Sequence, residues 1–178
     1  MDHFPLPSSP FEVWPLDFIQ LPQISGYQNV LVMIFMFFHW VEAFPCRKAT
    51  TQAVAKILLA PPPPELHSDR GTHFTGQILK CVYESWLILQ HFHCFHHPQS
   101  FGLVERTNGI IKSQLAQFTE SINISWLKAL PILLMNLCSA PFGQHNLSPF
   151  EMITERPTKL ISCQKDSILL KGDIIQYH

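Results

Sequence analysis

Residues 29–38 read NVLVMIFMFF, and every position after the first is apolar. The run has nine apolar residues, roughly half the ~20 that a membrane-spanning helix needs, so it predicts a buried strand. Further strands are predicted on either side of it, at Trp14–Leu21 and Val41–Phe44, with a turn at Ser25-Gly26. Strands that are apolar on both faces are typical of the centre of a mixed sheet covered by helices.

Beyond these strands the pattern changes to helices separated by short strands. The helices are predicted at Thr50–Leu59, from a cap at Thr75 to about Trp86, at Gly102–Ser121, at Ser125–Cys138 and from Ser148 onward. Short strands are predicted at Glu65–His67 and Leu87–His93, and a loop at residues 94–101. The motif Ser148-Pro-Phe-Glu combines a capping box with a proline at the first helical position. This order predicts a mixed α/β layer architecture.

Composition narrows the class of protein without naming a function. The chain has 178 residues, of which 47% are hydrophobic and 14% charged, and its net charge is −1. These values fit one globular domain with a sizeable core, and they show no basic excess of the kind usual in nucleic-acid-binding domains. Five cysteines without a C-x-x-C pair predict reduced thiols, and the first residues lack the pattern of a signal peptide. We therefore expect a soluble, intracellular protein in which any DNA site is a local patch.

Three acidic residues are candidates for a catalytic role, and each also has a possible structural role. Asp17 lies inside the apolar segment VWPLDFIQL, where a carboxylate is costly unless it is paired or binds a metal. Asp69 follows a short strand at a turn, so the alternative interpretation is that it only stabilises the turn. Glu105 lies just inside a helix, so it could instead interact favourably with the helix dipole. If the fold brings the three to one end of a sheet, they could hold two Mg²⁺ ions.

The sequence around these acids is more specific than the acids themselves. In order, the chain contains WPLD at 14–17, WVEAFP at 40–45, HSDRG at 67–71, PQSFGLVERTN at 98–108, LSPFE at 147–151 and Arg156-Pro157. Thirty-five residues separate Asp69 from Glu105. This combination resembles the integrase catalytic core of gammaretroviruses and related endogenous retroviruses, over roughly residues 11–157.

The resemblance implies an RNase H-like fold, a five-stranded mixed sheet flanked by helices. It implies that Asp17, Asp69 and Glu105 are the catalytic and metal-binding residues of a metal-dependent polynucleotidyl transferase, with two Mg²⁺ or Mn²⁺ ions as cofactors. It also implies that the partners are viral-end-like and target DNA and further copies of the chain, a homodimer or larger, with no membrane. Lys112, Asn108 and Arg106 are the predicted DNA-binding residues, and the expected location is the nucleus.

Several departures from the family's pattern favour an alternative, a degenerate endogenous-retrovirus-derived domain that binds DNA or protein without turnover. Pro61–Pro64 replace the end of a core helix, and Phe101 stands where relatives have Ser or Gln. His91, Cys94, His96 and His97 lack a second ligand pair at suitable spacing, so no structural zinc is expected from them. The predicted domain boundaries are a linker at 1–12, the core at 13–157, and a tail or the start of a truncated C-terminal module at 158–178.

Overall fold

Three antiparallel strands open the structure, β1 (Val13–Ile24), β2 (Tyr27–Phe35) and β3 (Trp40–Cys46). The computed structural model describes residues 7–58, 62–92, 98–143 and 145–157, with the backbone alone at 98–101. Ser25 and Gly26 join β1 to β2 with φ of 53° and 83°, and a two-residue hairpin turn of type I′ needs positive φ at both positions. The predicted turn is therefore confirmed.

Two short strands complete the sheet on the other side of β1. They are β4 (Glu65–Ser68) and β5 (Leu89–Phe92), both parallel to β1, and the strand order is β3-β2-β1-β4-β5. Pro15 on β1 pairs with His67 on β4. Continuing this register by two residues brings Asp17 level with Asp69, because parallel strands advance together in the same direction.

Helices cover both faces of the sheet. One face carries α1 (Thr51–Leu58), α2 (Thr72–Thr75) and α3 (Gln77–Ser85), and the other carries α4 (Pro98–Ile122) and α5 (Trp126–Ser139), with α6 (Pro149–Thr154) following. Two apolar clusters fill the spaces between the layers. The α4/α5 side contains Ile19, Leu21, Ile111, Leu115 and Leu133; the α1–α3 side contains Trp14, Leu16, Val54, Leu66 and Phe74. No helix among the described residues is both long and apolar enough to span a membrane.

The predicted elements are present and α2 is an additional one; several predicted boundaries were wrong, for example the end of β1 and the start of β5, and three of the errors have clear local reasons. Thr75 does not cap α3: its hydroxyl donates to the Gly71 carbonyl at 3.3 Å, so Thr75 closes α2 and Gly76 precedes α3. The predicted loop at 94–101 is too long, because Pro98 begins α4, where its missing N–H costs nothing. Strand β2 ends at Phe35 instead of Phe38, because a tight turn with positive φ at His39 connects it to β3.

The short proline-rich connection does not prevent β4 from forming. Four residues, Glu65 to Ser68, pair with β1 on one side and β5 on the other. The capping box at Ser148 is confirmed, with hydrogen bonds in both directions between Ser148 and Glu151. The predicted linker and tail boundaries stay predictions, since residues 1–6 and 158–178, like Cys94, His96 and His97, lie outside the described residues.

Candidate active site

Asp17 lies in β1 on the side of the sheet that faces α4. Ile19 and Leu21, which share its face by the alternation of a strand, pack into the α4/α5 core. Asn108 of α4 donates from Nδ2 to Asp17 Oδ2 at 2.7 Å. Burial raises the pKa of Asp17 to about 6, and the charge of Asp69 adds to the rise, whereas the Phe18 N–H, Asn108 and Lys112 act against it. Asp17 is therefore a carboxylate whose negative charge is poorly compensated.

Asp69 lies just beyond the end of β4 in a tight turn. The N–H of Gly71 donates to Asp69 Oδ1 at 2.8 Å, which fixes the orientation of the carboxylate. A Cβ at Gly71 would lie 2.5 Å from His73 Cε1 and 2.8 Å from Asp69 Oδ1, so a larger residue would displace the His73 ring or the Asp69 carboxylate. His73 Nε2 lies 3.8 Å from Asp69 Oδ1, and its ring packs edge-on against Phe18. The contact between His73 and Asp69 was not predicted from sequence.

Helix α4 contributes the remaining groups from one face. Asn108 is buried, and the exposed Lys112 follows one turn later, close enough for its charge to lower the pKa of Asp17. Glu105 precedes Asn108 by one turn and has an exposed side chain. Arg106 is also exposed. Of the predicted DNA-binding residues, Lys112 thus lies near the aspartates, while Asn108 is a buried hydrogen-bond partner of Asp17.

The structure brings Asp17, Asp69, Asn108 and Lys112 together, with Glu105 on the same face of α4 as Asn108. The three acids do not form the tightest ligand cluster of the described residues. Side chains of Glu65, His67 and His91 do, with ligand atoms all within 4.8 Å of one another. This cluster was not predicted from sequence, although the alternation Glu-x-His at 65–67 places both side chains on one face of a strand.

The donor set around Asp17 fits a hard divalent cation. Carboxylate oxygens are the ligands that Mg²⁺ prefers, and a bound cation would offset both the burial of the Asp17 charge, which is the main cause of its raised pKa, and the smaller repulsion from Asp69. Asn108 Oδ1 is buried and accepts no hydrogen bond from the described residues, so it could accept one from a metal-bound water. Asp17, Asp69 and Glu105 are the residues that could hold such ions.

Comparison with known proteins gives related sequences over most of the chain. No family model matches. The chain is 37% identical over 164 residues to the Gag-Pol polyprotein of Walleye dermal sarcoma virus, covering 88% of the chain and 9% of that protein. It is 37% identical over 152 residues to the Gag-Pol polyprotein of Feline leukemia virus, and 34% over 157 residues to the Pol polyprotein of Radiation murine leukemia virus (strain Kaplan). These cover 81% and 84% of the chain, and 9% and 27% of the relatives.

Solved structures identify which part of such a polyprotein the chain resembles. The HTLV-2 integrase catalytic core domain in complex with magnesium matches with a TM-score of 0.65 and 23% identity, over 80% of this chain and 95% of that one. The catalytic core domain of BIV integrase matches with a TM-score of 0.65 and 22% identity, over 82% and 95% of the two chains. The chain belongs to the retroviral integrase core family.

A chain of a larger assembly also matches this chain in structure. The structure of the simian T-cell lymphotropic virus intasome in complex with PP2A regulatory subunit B56 gamma matches with a TM-score of 0.73 and 22% identity, over 93% of this chain and 62% of that one. The RNase H-like fold is confirmed by these neighbours. Because the chain spans only a small part of its polyprotein relatives, their whole activity does not transfer to it directly.

Proposed function

We propose that this integrase core is a metal-dependent polynucleotidyl transferase that cleaves DNA ends and joins them to target DNA. One observation carries the proposal: Asp17 on β1 interacts with Asp69, which lies just beyond the adjacent parallel strand β4, and with Asn108 and Lys112 of α4. Two carboxylates kept close in a partly buried site, next to a lysine, suit a site for metal ions and a phosphodiester. The metal would be Mg²⁺ or Mn²⁺, held by Asp17, Asp69 and Glu105.

When bound, two such ions supply an activated water or hydroxyl nucleophile and stabilise the leaving oxygen. The chain's own residues provide the positioning. Asn108 holds Oδ2 of Asp17 by its 2.7 Å hydrogen bond and so fixes the orientation of the carboxylate. The Gly71 N–H holds Asp69 Oδ1 in the same way. Lys112 supplies positive charge at the exposed edge of the site, where the phosphate backbone would lie.

Turnover is tested with a branched DNA that mimics the integration product, incubated with Mn²⁺ or Mg²⁺. We expect the chain to resolve the branch and Asp69→Asn to be inactive, because the substitution removes one metal-binding carboxylate. Glu120→Gln, an exposed acid on α4, is the matched control and should keep full activity. Activity that survives Asp69→Asn would overturn the proposed site.

DNA binding is tested separately, by titrating fluorescent duplex with the chain at several salt concentrations. Lys112→Ala should weaken binding and reduce the slope of log K against log salt by about 0.9, the value for one lost phosphate contact. Lys80 is an exposed lysine on the opposite side of the sheet, and Lys80→Ala should leave the DNA affinity and the salt slope unchanged. Equal effects of the two substitutions would exclude a specific role for Lys112.

A second candidate function is a domain that binds DNA or protein without turnover, descended from an endogenous retrovirus. The observation that favours it is the exposed Glu105, which does not join Asp17 and Asp69 within the 4.8 Å that groups Glu65, His67 and His91. DNA binding without branch resolution in either metal would support this candidate against the first.

We extend the proposal to assembly and location. Related structures include an integrase core in a trimeric form and a chain of an intasome, so we infer that this core forms dimers or larger oligomers. We further propose that it acts in the nucleus, because the proposed reaction joins DNA to target DNA. Light scattering after size-exclusion chromatography tests the oligomer, and imaging of the tagged chain in cells tests the location. A monomer at every concentration would refute the first inference, and exclusion from the nucleus the second.

A further inference from the structure

Three metal-ligand side chains meet on β4 and β5, on a part of the sheet that the proposed reaction does not use. Glu65 and His67 share one face of β4 because they are two residues apart, and His91 of β5 is the direct register partner of His67. Glu65 is four residues and His67 two residues before Asp69, about 13 Å and about 7 Å along an extended chain, and His91 lies on the edge strand beyond β4. The group therefore neighbours the aspartate pair but shares no residue with it.

The distances between these side chains fit one tetrahedral ion. Glu65 Oε2 lies 3.5 Å from His67 Nε2 and 3.7 Å from His91 Nε2, and all three ligand atoms lie within 4.8 Å of one another. Ligands at about 2.0–2.1 Å from a tetrahedral zinc are about 3.4 Å from each other. Two of the three spacings thus already approach those of a zinc site, and rotation of the His91 side chain would bring in the third.

The donor types separate this cluster from the aspartate site. Two imidazole nitrogens and one carboxylate oxygen form a set that zinc and similar transition metals favour, whereas an all-carboxylate set favours magnesium. Three protein ligands leave a fourth position for water or another donor. The His91, Cys94, His96 and His97 set considered from sequence shares only His91 with this cluster.

The surroundings suit an ion that links two strands. His67 is 1% exposed, so its imidazole is held in place by packing, while the side chains of Glu65 and His91 are 30% and 42% exposed and give the ion a route from solvent. Strands β4 and β5 are only four residues long each, and the two end residues of β5, Leu89 and Phe92, are exposed. An ion bound to residues of both strands would cross-link β4 and β5, whose backbone hydrogen bonding extends over only four residues.

We propose that Glu65, His67 and His91 form a zinc-type transition-metal site that fastens the edge strand β5 to β4. Because β4 leads directly into the turn that carries Asp69, the ion stabilises the strand that positions this acid. The alternative is a set of histidine–carboxylate ion pairs that never binds a metal, which the same three residues could form when the histidines are protonated.

The test is a cobalt(II) titration of the metal-free full chain at pH 7.5, followed by visible absorption, with zinc displacement as the second readout. We expect one equivalent of Co²⁺ to give the intense visible bands of a tetrahedral site, which zinc then abolishes. Zinc should also raise the unfolding temperature. His91→Ala and Glu65→Gln, at partly exposed positions, should each weaken zinc binding by about 100-fold or more, since loss of an indirect contact to a metal ligand alone costs 10–100-fold.

Two controls make the result specific. His145→Ala removes an exposed histidine outside the sheet and should keep the cobalt spectrum unchanged. Asp17→Asn combined with Glu105→Gln should also keep it, which distinguishes this site from the proposed catalytic one. An octahedral or absent cobalt spectrum, or zinc affinity equal in the parent chain and in both cluster variants, would overturn the proposal and leave an ion-pair cluster only. Loss of the spectrum in the Asp17/Glu105 variant would overturn it as well, because the ion would then belong to the aspartate site.

Discussion

Asp17→Asn should stabilise the metal-free protein at neutral pH, although it removes a residue of the candidate active site. Burial raises the Asp17 pKa from 3.8 to about 6. The folded chain therefore binds a proton more tightly than the unfolded chain, and stability falls as pH rises through the interval between these values. At ~1.36 kcal/mol for each pH unit, the cost of ionising Asp17 in the fold is about 3 kcal/mol.

The expected gain from Asp17→Asn is smaller than this limit. Water reaches the half-buried carboxylate, and the charged oxygen accepts a strong hydrogen bond from Asn108 that a neutral amide oxygen accepts more weakly. We expect about 1–2 kcal/mol above pH 7, and no gain at pH 4, where Asp17 is largely protonated in the folded chain. A gain in stability at high pH only is the behaviour expected of an active-site residue whose uncompensated charge serves function and lowers stability.

The assay is urea unfolding in EDTA at pH 4, 6 and 8, with the free energy of unfolding extrapolated from the linear region. Glu120→Gln, an exposed acid on α4, is the control and should change stability by less than about 0.5 kcal/mol at every pH. Replacing EDTA with Mg²⁺ should stabilise the parent chain and not the Asp17 variant. If Asp17→Asn is equally destabilising at pH 4 and pH 8, the charge is compensated and the argument from burial is wrong.

Three further substitutions test the local structure by the same unfolding measurement. Gly71→Ala should cost about 1–3 kcal/mol because its Cβ would overlap the His73 ring, and a neutral result would mean that the turn relaxes freely. Leu133→Ala, fully buried in α5, should cost about 2–5 kcal/mol, while the exposed Met135→Ala on the same helix should stay within about 0.5; similar values would contradict the described packing. Ser148→Ala should cost about 1 kcal/mol through loss of the capping box, and no loss would show that Pro149–Thr154 is not held by its cap.

The sheet was predictable because its signal is local. Apolar runs and a Ser-Gly turn are read within a few residues, and they predicted β1 to β3 and their order correctly. Boundaries failed where a single hydrogen bond decides between neighbouring residues. Thr75 is a suitable cap by type, and only the contact of its hydroxyl with the Gly71 carbonyl shows that it ends the preceding helix.

Only the site residues that lie in short sequence motifs could be predicted. Asp69 and Glu105 were predicted because each lies in a recognisable motif. Contacts between residues that are distant in sequence were not predicted. Asn108 was assigned to DNA by its helical face, yet its described contact is Asp17, 91 positions earlier. The His67–His91 pair depends on the register between two parallel strands, which no property of either segment specifies alone.

The parallel pairing of β1 with β4 has a consequence for how this family tolerates insertions and deletions. Asp17 and Asp69 stand level because Pro15 pairs with His67, so their alignment depends on strand register and not on the number of residues between them. The number of residues between α1 and β4 can therefore change without moving Asp69 out of line with Asp17, whereas a one-residue slip of β4 would turn Asp69 to the opposite face of the sheet. In such a protein, a deletion of several residues in a connection does less harm than a deletion of one residue in a strand.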